Sequence, residues 1–455
     1  MSAFVVERRS TIAAPPDAVW QWHARPGAFE RLVPPWEGVK VVSRDPRGIV
    51  DGAQVELEIR KGPLTLDWLA EHRDVDPPHG FSDVQLRGPF AQWHHPRRLE
   101  PGGDGGTALT DRIAVTLRLG PRGSVGEGSV RDDLERMLAW RHDVLRQDLA
   151  RLAREPMAPM RIAITGATGS IARALTPMLT TAGHTVVPVS RSQLEGGIQW
   201  DPIHGVLDPA KMEGIDAVIH LAGANIAEGR WTDDRKALLR ESRVVPTALL
   251  ARTLAALSRK PRVLISASAV GIYGDRADEM LDEESSLGDD FLADLGKEWE
   301  RAADPARDAG LRVVHPRTGI VLTAGDGALG EMRIPFRLGA GGRLGSGRQW
   351  MSWVAIDDVL GTIWRMLHDD ALVGPVNVTA PNPVRNEDFT RVLAGVLNRP
   401  ALLPVPEMAL RAMLGEMADA TVLASQRAIP RALERRNHHF EYPELEPALR
   451  HVLGA

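Results

Sequence analysis

Apolar positions follow two different patterns along the chain. In the first region, the segments FVVERRSTIAA, VKVVS, AQVELEIR and TALTDRIAVTLRL are predicted strands separated by glycine- and proline-rich turns. The segment PPDAVWQWHARPGAFERLV predicts a helix or helix pair that ends at Pro34 and Pro35. Between 131 and 154, leucines recur at steps of four, seven, four and three, which predicts a long amphipathic helix. This order of elements indicates an α+β domain.

From residue 160 onward, predicted strands alternate with helices. The runs RIAIT, TVVPVS, AVIHLAG, RVLISAS and LRVVHPRTGIVL are short and apolar without strict alternation, as in strands that crossover helices cover on both faces. The pattern predicts an α/β fold with a doubly wound parallel sheet. Two prolines in EPMAPM mark the boundary. We therefore expect an N-terminal domain at 1–156, a nucleotide-binding domain at 160–400 and a C-terminal helical extension at 401–455.

Composition narrows the function classes. Apolar residues make up 43% and charged residues 25% of the 455, and the formal net charge of -5 provides no basic field for nucleic acid. The absence of cysteine excludes disulfides, thiolate catalysis and cysteine-based metal sites. No stretch reaches the roughly 18 apolar residues of a membrane span, and the N-terminal segment lacks a signal-peptide core. We expect a cytoplasmic protein without a membrane span and without bound metal.

The stretch ITGATGSIA, residues 164–172, predicts a nucleotide site. Gly166 and Gly169 leave room for phosphate to meet backbone N–H groups at a helix N-terminus, and Ala172 permits close packing of that helix on the strand. A glycine triplet is weak evidence alone, but here it follows the first strand, opens a helix and leads into a second strand. The expected cofactor contacts in this turn are Gly166, Thr168, Gly169, Ser170 and Ile171.

The end of the second strand selects the cofactor. NAD-binding sites of this type carry an acidic residue there, whereas this chain has Ser190, Arg191 and Ser192, which are donors suited to a 2′-phosphate. The sequence therefore predicts NADP(H), unless Arg191 is an ordinary solvated arginine. Asp201, after the predicted third strand, is where an adenine amino group would be met.

Several further motifs carry a family resemblance. DAVIHLAG, LISASAVGIYGD and WVAIDDV, together with the glycine turn, resemble the extended short-chain dehydrogenase/reductase superfamily. HLAGANIAEGRWTDDRKALLRESRV, HPRTGIVL, PFRLGAGGRLGSGRQWMSWVAIDD and VLASQRAIPRAL are more specifically similar to atypical epimerase-family proteins with a C-terminal domain of unknown function. The resemblance spans 160–455 and implies that loops after strands four to six face the nicotinamide. It adds these expected cofactor contacts: Leu221, Ala222, Gly223, Pro316 and Arg317.

The superfamily's usual catalytic pair is missing. Its enzymes use a serine near the fifth strand, which Ser268 matches, with a tyrosine and a lysine four residues apart on the next helix. That helix, DFLADLGKEWERAA, contains no tyrosine. One register places alanine at the tyrosine position and Lys297 at the lysine position, and the other register supplies neither residue. The remaining tyrosines of the chain, Tyr273 and Tyr442, are not followed by a lysine four residues later.

Substitutes for the pair stay open. Tyr273 lies in a loop after the fifth strand and could turn inward as an acid, or it could be a structural phenol that anchors the loop. Lys297 could act near the ribose, or it could be a solvated helix lysine. Ser268 alone is a weak proton donor. Asp357 and Asp358 are expected to cap a following helix rather than to catalyse.

The first 155 residues resemble the helix-grip fold of the START-like SRPBCC superfamily. GPFAQWHH and TALTDRIAV are similar to the paired late strands of those proteins. The resemblance implies a cavity for an apolar small molecule, although the tryptophans of this region could equally fill the space (Trp20, Trp22, Trp36, Trp68 and Trp93). Adjacent His94 and His95 should point apart on a strand, which disfavours a metal site.

Two function hypotheses follow. The first is an NADP(H)-binding, epimerase-like oxidoreductase that acts on an unknown small-molecule substrate with altered catalytic groups. The second is a non-catalytic NADPH-binding protein that regulates a partner or binds a ligand. Substrate identity is not visible, because the glycine-rich loops GANIAEGRW and 325–350 carry no diagnostic charge cluster.

Overall fold

The computed structural model describes residues 2–62, 64–118, 126–325 and 327–455. The last residue of the predicted strand TALTDRIAVTLRL and one position of the loop 325–350 lie outside these ranges. The chain divides into two compact units, one built from the residues up to Met157 and one from Ala158–Leu179 and His184–Leu453.

The first unit is an antiparallel sheet with a long helix. Its strands are β1 (Ala3–Ile12), β2 (Gly38–Arg44), β3 (Gln54–Lys61), β4 (Leu64–Asp76), β5 (Gly80–Arg87), β6 (Gln92–Pro101) and β7 (Thr107–Thr116). Its helices are α1 (Pro16–Ala24), α2 (Ala28–Arg31) and α3 (Glu127–Arg154), with a short 3₁₀ turn at Gly103–Gly105. The strands follow the order β1-β7-β6-β5-β4-β3-β2, so β6 and β7 pair as predicted.

Side-chain alternation explains how this sheet packs. Leu109, Ile113 and Val115 on β7 are buried, and they form cores with leucines of α3 such as Leu138 and Leu145. The leucine stripe predicted between 131 and 154 is therefore the face that packs on the sheet. The predicted α+β class of the first region is confirmed.

The second unit alternates strands and helices from its first strand onward. Its strands are β8 (Arg161–Thr165), β9 (Thr185–Ser190), β10 (Ile198–Asp201), β11 (Val206–Leu207), β12 (Ala217–His220), β13 (Val263–Ser266), β14 (Ser268–Ala269), β15 (Met280–Leu281), β16 (Arg312–Thr318), β17 (Ile320–Leu322), β18 (Trp350–Met351), β19 (Trp353–Ala355), β20 (Gly374–Val378), β21 (Val384–Arg385) and β22 (Arg427–Ala428).

The helices connect and cover these strands. They are α4 (Ser170–Thr181), α5 (Pro209–Met212), α6 (Asp233–Ala255), α7 (Phe291–Arg301), α8 (Asp304–Asp308), α9 (Gly327–Arg337), α10 (Ile356–His368), α11 (Asn386–Leu397), α12 (Glu407–Leu414), α13 (Arg431–Arg435) and α14 (Leu445–Leu453), with short helical turns at Val270–Tyr273 and Ala418–Val422.

The main sheet has the strand order expected for a doubly wound fold. Its path is β11-β10-β9-β8-β12-β13-β16, with β20 on the far side of β16 and the short β14 continuing beside β16. The strands β8, β9, β10, β12, β13, β16 and β20 pair in parallel, and β12 and β13 are buried along their whole length. The predicted α/β class is confirmed, and the strand order reverses direction next to β8, where such folds bind nucleotides.

The C-terminal segment packs within the second unit. Strand β22 pairs in parallel with β15, and α14 packs on α11. The structure groups the residues after 400 with the nucleotide-binding region, so the separate extension at 401–455 stays a prediction. Within the described part of the chain, no helix is both long and apolar enough to cross a membrane.

Candidate functional site

The glycine turn between β8 and α4 is built on a left-handed backbone conformation. Gly166 has a φ of +70°, and a Cβ there would lie 2.9 Å from the backbone of Leu221 and Ala222. Only glycine fits a turn that approaches the neighbouring loop this closely. Gly169 is exposed, donates its N–H to Gly166 O (2.9 Å) and would meet only that oxygen at 3.3 Å if it carried a Cβ. The turn therefore has a fixed base at Gly166 and an open rim at Gly169, where a ligand can approach the backbone.

The predicted contact residues of this turn lie along that rim. Thr168 is exposed, and Ser170 and Ile171 are half-buried at the first turn of α4. Ala172 is buried, which agrees with the close helix packing expected from the motif. Helix N-termini present free N–H groups and a partial positive charge, so the geometry suits a pyrophosphate.

The loop after β12 is anchored to β8 by one side chain. Thr165 Oγ1 accepts the backbone N–H groups of Leu221 and Ala222 (3.1 and 3.3 Å). Its hydroxyl proton therefore goes to His220 Nδ1, 2.7 Å away. Leu221 and Ala222 are half-buried and Gly223 is exposed, so these three predicted contacts lie beside the glycine turn.

A buried histidine extends this anchor to helix α6. Thr247 donates its hydroxyl to the Arg243 carbonyl (2.6 Å), so its oxygen accepts the Nε2 proton of His220 at 2.9 Å. Burial lowers the pKa of His220 to about 4, so the ring stays neutral in the tautomer that these bonds require. These hydrogen bonds join β8, β12 and α6 beneath the site.

Arg243 is a residue that sequence reasoning missed. Its guanidinium is buried, lies over the Trp299 ring and donates to the carbonyls of Leu239 and Ala224, both at 3.0 Å. Burial lowers the pKa of Arg243 to about 10, and no described carboxylate forms an ion pair with it. It fixes the loop that follows Gly223. Its buried role was hard to predict from the sequence, because an arginine within a charged helix normally faces solvent.

The end of β9 presents Arg191 to solvent. Ser190 Oγ accepts the N–H of Ser192 (3.2 Å), and Gln199 Nε2 donates to the Arg191 carbonyl (3.2 Å), which fixes the backbone of this loop. Among the described residues, none pairs with the exposed Arg191 guanidinium. Because the bond from Gln199 is made to the backbone of Arg191, the donors of the arginine side chain stay available.

Asp201 lies at the end of β10. Its carboxylate accepts the N–H groups of Ile203 and His204 (3.1 and 3.2 Å) and contacts His204 Nδ1 at 2.6 Å. The His204 hydrogen bond lowers the pKa of Asp201. The carboxylate therefore helps to fix the loop after β10, and its contact with adenine stays a prediction.

Ser268 is engaged with a carboxylate that the sequence analysis did not single out. The buried Ser268 hydroxyl donates to Glu300 Oε1 (2.7 Å), and Arg317 holds the same carboxylate through Nε and Nη2 (2.8 and 2.9 Å). Burial would raise the pKa of Glu300, but the two Arg317 bonds outweigh it and the pKa is lowered. The serine proton is therefore directed toward an ionised group inside the protein.

Tyr273 lies inside the same network. It is fully buried, donates to Asn377 Oδ1 (2.8 Å) and accepts from Arg317 Nη1 (3.0 Å). Burial raises the pKa of Tyr273, and the Arg317 charge only partly opposes this. Both hydrogen-bonding capacities of the phenol are used, which favours its interpretation as a structural residue.

Helix α7 does not present the usual catalytic pair toward Ser268. Lys297 is half-buried and contacts Gly288 O (3.1 Å) and Asp294 Oδ1 (2.6 Å) rather than Ser268. A Cβ on Gly296 would lie 2.9 Å from Ile272, so the helix packs directly on the Val270–Tyr273 turn. The helix contributes Glu300 instead.

Two predicted cofactor contacts, Pro316 and Arg317, lie in the interior of β16. Both are buried, and the Arg317 guanidinium is committed to Glu300 and Tyr273. A role for either residue in cofactor binding stays a prediction.

The expected helix cap at Asp357 and Asp358 was wrong. Ala355 is the N-cap of α10 and makes no side-chain cap, whereas both aspartates lie inside the first turn. Asp358 accepts the N–H groups of Glu441 and Tyr442 (2.7 and 3.1 Å), and Asp357 contacts His451 at 3.0 Å. These carboxylates attach the C-terminal segment to α10.

The first unit contains a cavity of about 550 Å³ between the sheet and α3. Trp68, Phe90 and Trp93 form an aromatic cluster on its wall, with ring centroids 4.9 to 5.7 Å apart. Of the five tryptophans considered above, Trp68 and Trp93 therefore line the space, and a cavity remains beside them. His95 is buried and His94 exposed on β6, as expected for neighbours on a strand. No group of metal-ligating side chains occurs among the described residues.

Three family models match successive parts of the chain. Polyketide cyclase/dehydrase and lipid transport matches 12–139, the NAD dependent epimerase/dehydratase family matches 162–294, and a domain of unknown function, DUF1731, matches 405–452. The Mycobacterium tuberculosis epimerase family protein MT2273 is 43% identical over 295 residues, which cover 64% of this chain and 97% of that protein. The human epimerase family protein SDR39U1 is 34% identical over 65% of this chain and 100% of its own length.

Two solved structures are also similar. A nucleoside-diphosphate sugar epimerase from Corynebacterium glutamicum has a TM-score of 0.82 and 36% identity, and covers 99% of this chain and 90% of its own. Human SDR39U1, solved with NADPH, has a TM-score of 0.60 and 34% identity, with 65% of this chain and 99% of its own covered.

Proposed function

We propose that this chain, which belongs to the NAD dependent epimerase/dehydratase family, binds NADP(H) with its second unit and uses it in an oxidoreductase or epimerase reaction. The observation that carries the proposal is the occurrence of the Gly166 turn together with an exposed Arg191 at the end of β9, whose guanidinium has no partner among the described residues. The human relative solved with NADPH supports the same cofactor.

The residues fit the cofactor by their chemistry. Gly166 fixes the turn, Gly169 leaves its rim open, and the start of α4 supplies N–H groups for a pyrophosphate. Arg191 and Ser190 offer donors to a 2′-phosphate, and neither is an acidic residue that would repel it. The bound cofactor would supply or accept hydride, while the chain's own residues hold and orient it.

Titration of NADPH and NADH separates the two cofactors. We expect NADPH to bind roughly ten- to hundredfold more tightly, since a charge-assisted contact contributes about 1.5–3 kcal/mol. Arg191→Asp should erase or reverse this preference, because the carboxylate repels phosphate and can accept from a free ribose hydroxyl. Arg191→Lys should keep part of it.

A charge-matched control excludes a general electrostatic effect. Arg252 is exposed in the last turn of α6, which leads toward the amino end of β13 and so away from the nucleotide edge. Arg252→Asp changes net charge as much as Arg191→Asp and should leave both affinities unchanged. Equal affinities of the unaltered protein for NADPH and NADH would refute the assignment.

A second candidate function is NADPH binding without catalysis. It is favoured by the engagement of Ser268 with Glu300 and of Tyr273 with Asn377, which leaves neither hydroxyl proton free for a substrate. NADPH oxidation measured across a panel of aldehydes and ketones distinguishes the two. Turnover of any member supports the oxidoreductase, whereas tight binding with no turnover supports the binding protein.

A further inference from the structure

We propose that the cavity of the first unit binds an amphiphilic carboxylate, with the carboxylate at Arg97 and Arg141 and the apolar body against the aromatic wall. This proposal concerns residues up to Met157 and is independent of the dinucleotide site.

The cavity has the size and lining of a small-molecule site. Its volume of about 550 Å³ falls within the ~300–1,000 Å³ typical of ligand pockets. Trp68, Phe90 and Trp93 line one part, and Leu57 and Ile59 of β3 extend the apolar surface. An apolar body of a ligand would gain free energy by leaving water here.

Two guanidinium groups reach the same cavity with most of their donors unused. Arg97 is buried, donates Nε to Asp111 Oδ1 (2.9 Å) and lies over the Phe81 ring. Arg141, on α3, donates Nε to the Leu32 carbonyl (2.8 Å). In the described part of the chain, nothing accepts a hydrogen bond from the Nη atoms of either arginine. Because both residues line the cavity, a ligand or water inside it can accept from these donors.

The nearby carboxylates are already committed to other partners. Asp111 also receives His95 Nε2 and His142 Nε2 (2.8 and 2.9 Å). Asp83, which lines the cavity, contacts His72 Nδ1 at 2.6 Å. Arg141 forms no ion pair with a described residue. Glu37, which also lines the cavity, pairs with Lys61 at 3.6 Å. Burial, followed by repulsion from Arg97, lowers the pKa of Arg141 to about 10, and attraction to Asp111, Asp83 and Glu37 only partly opposes this.

A carboxylate is the headgroup that this arrangement fits best. The guanidinium fork matches the geometry of a planar oxyanion, and Arg97 and Arg141 both line the cavity and lie near enough to repel each other, so one carboxylate can meet both. A hydroxyl would satisfy fewer of these donors, and a quaternary ammonium headgroup would offer them no acceptor at all.

Calorimetric titration with ligands that differ only in headgroup tests the proposal. Decanoate, decan-1-ol and decyltrimethylammonium share one alkyl chain, and the full-length protein is used without nucleotide at pH 8. We expect decanoate to bind about tenfold or more tightly than decanol, and decyltrimethylammonium to bind more weakly than decanol. This comparison needs no variant, so it holds even if a substitution disturbs folding.

Variants then locate the headgroup. Arg141→Met removes one of the two charges and keeps the apolar stem, so decanoate affinity should fall several-fold toward that of decanol, with Arg97 still in place, while decanol affinity is unchanged. Arg146→Met is the matched control, because Arg146 lies on the same helix, is exposed and pairs with Asp143 outside the cavity. Equal binding of decanoate and decanol, no binding of decanoate, or full decanoate binding by Arg141→Met would each overturn the proposal.

Discussion

Replacement of Gly166 by alanine tests whether the glycine turn is fixed by the protein itself. An alanine at φ +70° costs about 1–2 kcal/mol for the left-handed conformation. Its Cβ would also lie 2.9 Å from the backbone of Leu221 and Ala222, whose N–H groups are tied to Thr165. Overpacking of this kind costs about 1–3 kcal/mol more.

The expected loss is therefore about 2–5 kcal/mol in the free energy of unfolding of the second unit. This corresponds to a fall of about 4–20 °C in Tm. Calorimetry should resolve the transition of the second unit, because added NADPH raises the Tm of the unit that binds it. NADPH affinity should fall together with stability.

Gly169→Ala is the matched control for this experiment. Gly169 has an ordinary backbone conformation, is exposed, and would meet only Gly166 O at 3.3 Å. Its Tm should change by no more than about 2 °C, since alanine suits the start of a helix. NADPH affinity should still fall about tenfold or more, because the methyl group occupies the rim where phosphate approaches. A Gly166→Ala protein with unchanged Tm, or equal destabilisation by both changes, would refute the reasoning.

Three further predictions follow from the second unit. Tyr273→Phe keeps the buried ring but leaves Asn377 Oδ1 without a donor, so stability should fall by about 1–3 kcal/mol in urea unfolding, while NADPH affinity and any turnover stay within about tenfold. Burial raises the pKa of Asp358 from its ordinary 3.8 to about 7, so the stability it contributes is complete below pH 3.8 and is lost as pH rises through 7. Asp358→Asn should abolish this pH-dependent part of the stability, which is about 4 kcal/mol at most, when Tm is measured against pH. Residues 158–455 expressed alone should fold and bind NADPH, because relatives of about this length exist without the first unit, and aggregation of that fragment would contradict this.

Features set by local chemistry could be predicted from the sequence. The Gly166 turn, the parallel strands around it and the leucine stripe of α3 all depend on residues within one or two elements. The exposed Arg191 at the end of β9 also follows from local position, since it is the next residue after the strand. For the turn, the strands and the leucine stripe, backbone conformation or periodicity narrows the alternatives.

Side-chain pairs between distant elements could not be predicted in the same way. Ser268 meets Glu300 because β14 pairs with β16 and α7 packs beside them, and Tyr273 reaches Asn377 across 104 positions of the chain. Asp358 contacts a segment more than 80 residues away instead of capping its own helix. A carboxylate in a first helical turn suits a cap and a buried tertiary contact equally, so only the packed fold decides between them.

The hydrogen bonds of Ser268 and Tyr273 bear directly on which reactions this site could support. Reduction of a carbonyl consumes one proton for each hydride, and the hydroxyl protons of Ser268 and Tyr273 are committed to Glu300 and Asn377. A proton would then have to come from solvent or from an acidic group of the substrate. In that case the rate should show no ionisation of a protein phenol in its pH profile, and Tyr273→Phe should leave the profile unchanged. An enzyme of this kind gains its rate from orientation of the two reactants rather than from a tuned acid, which requires the rigid support that Thr165, His220 and Arg243 give to the loop after β12.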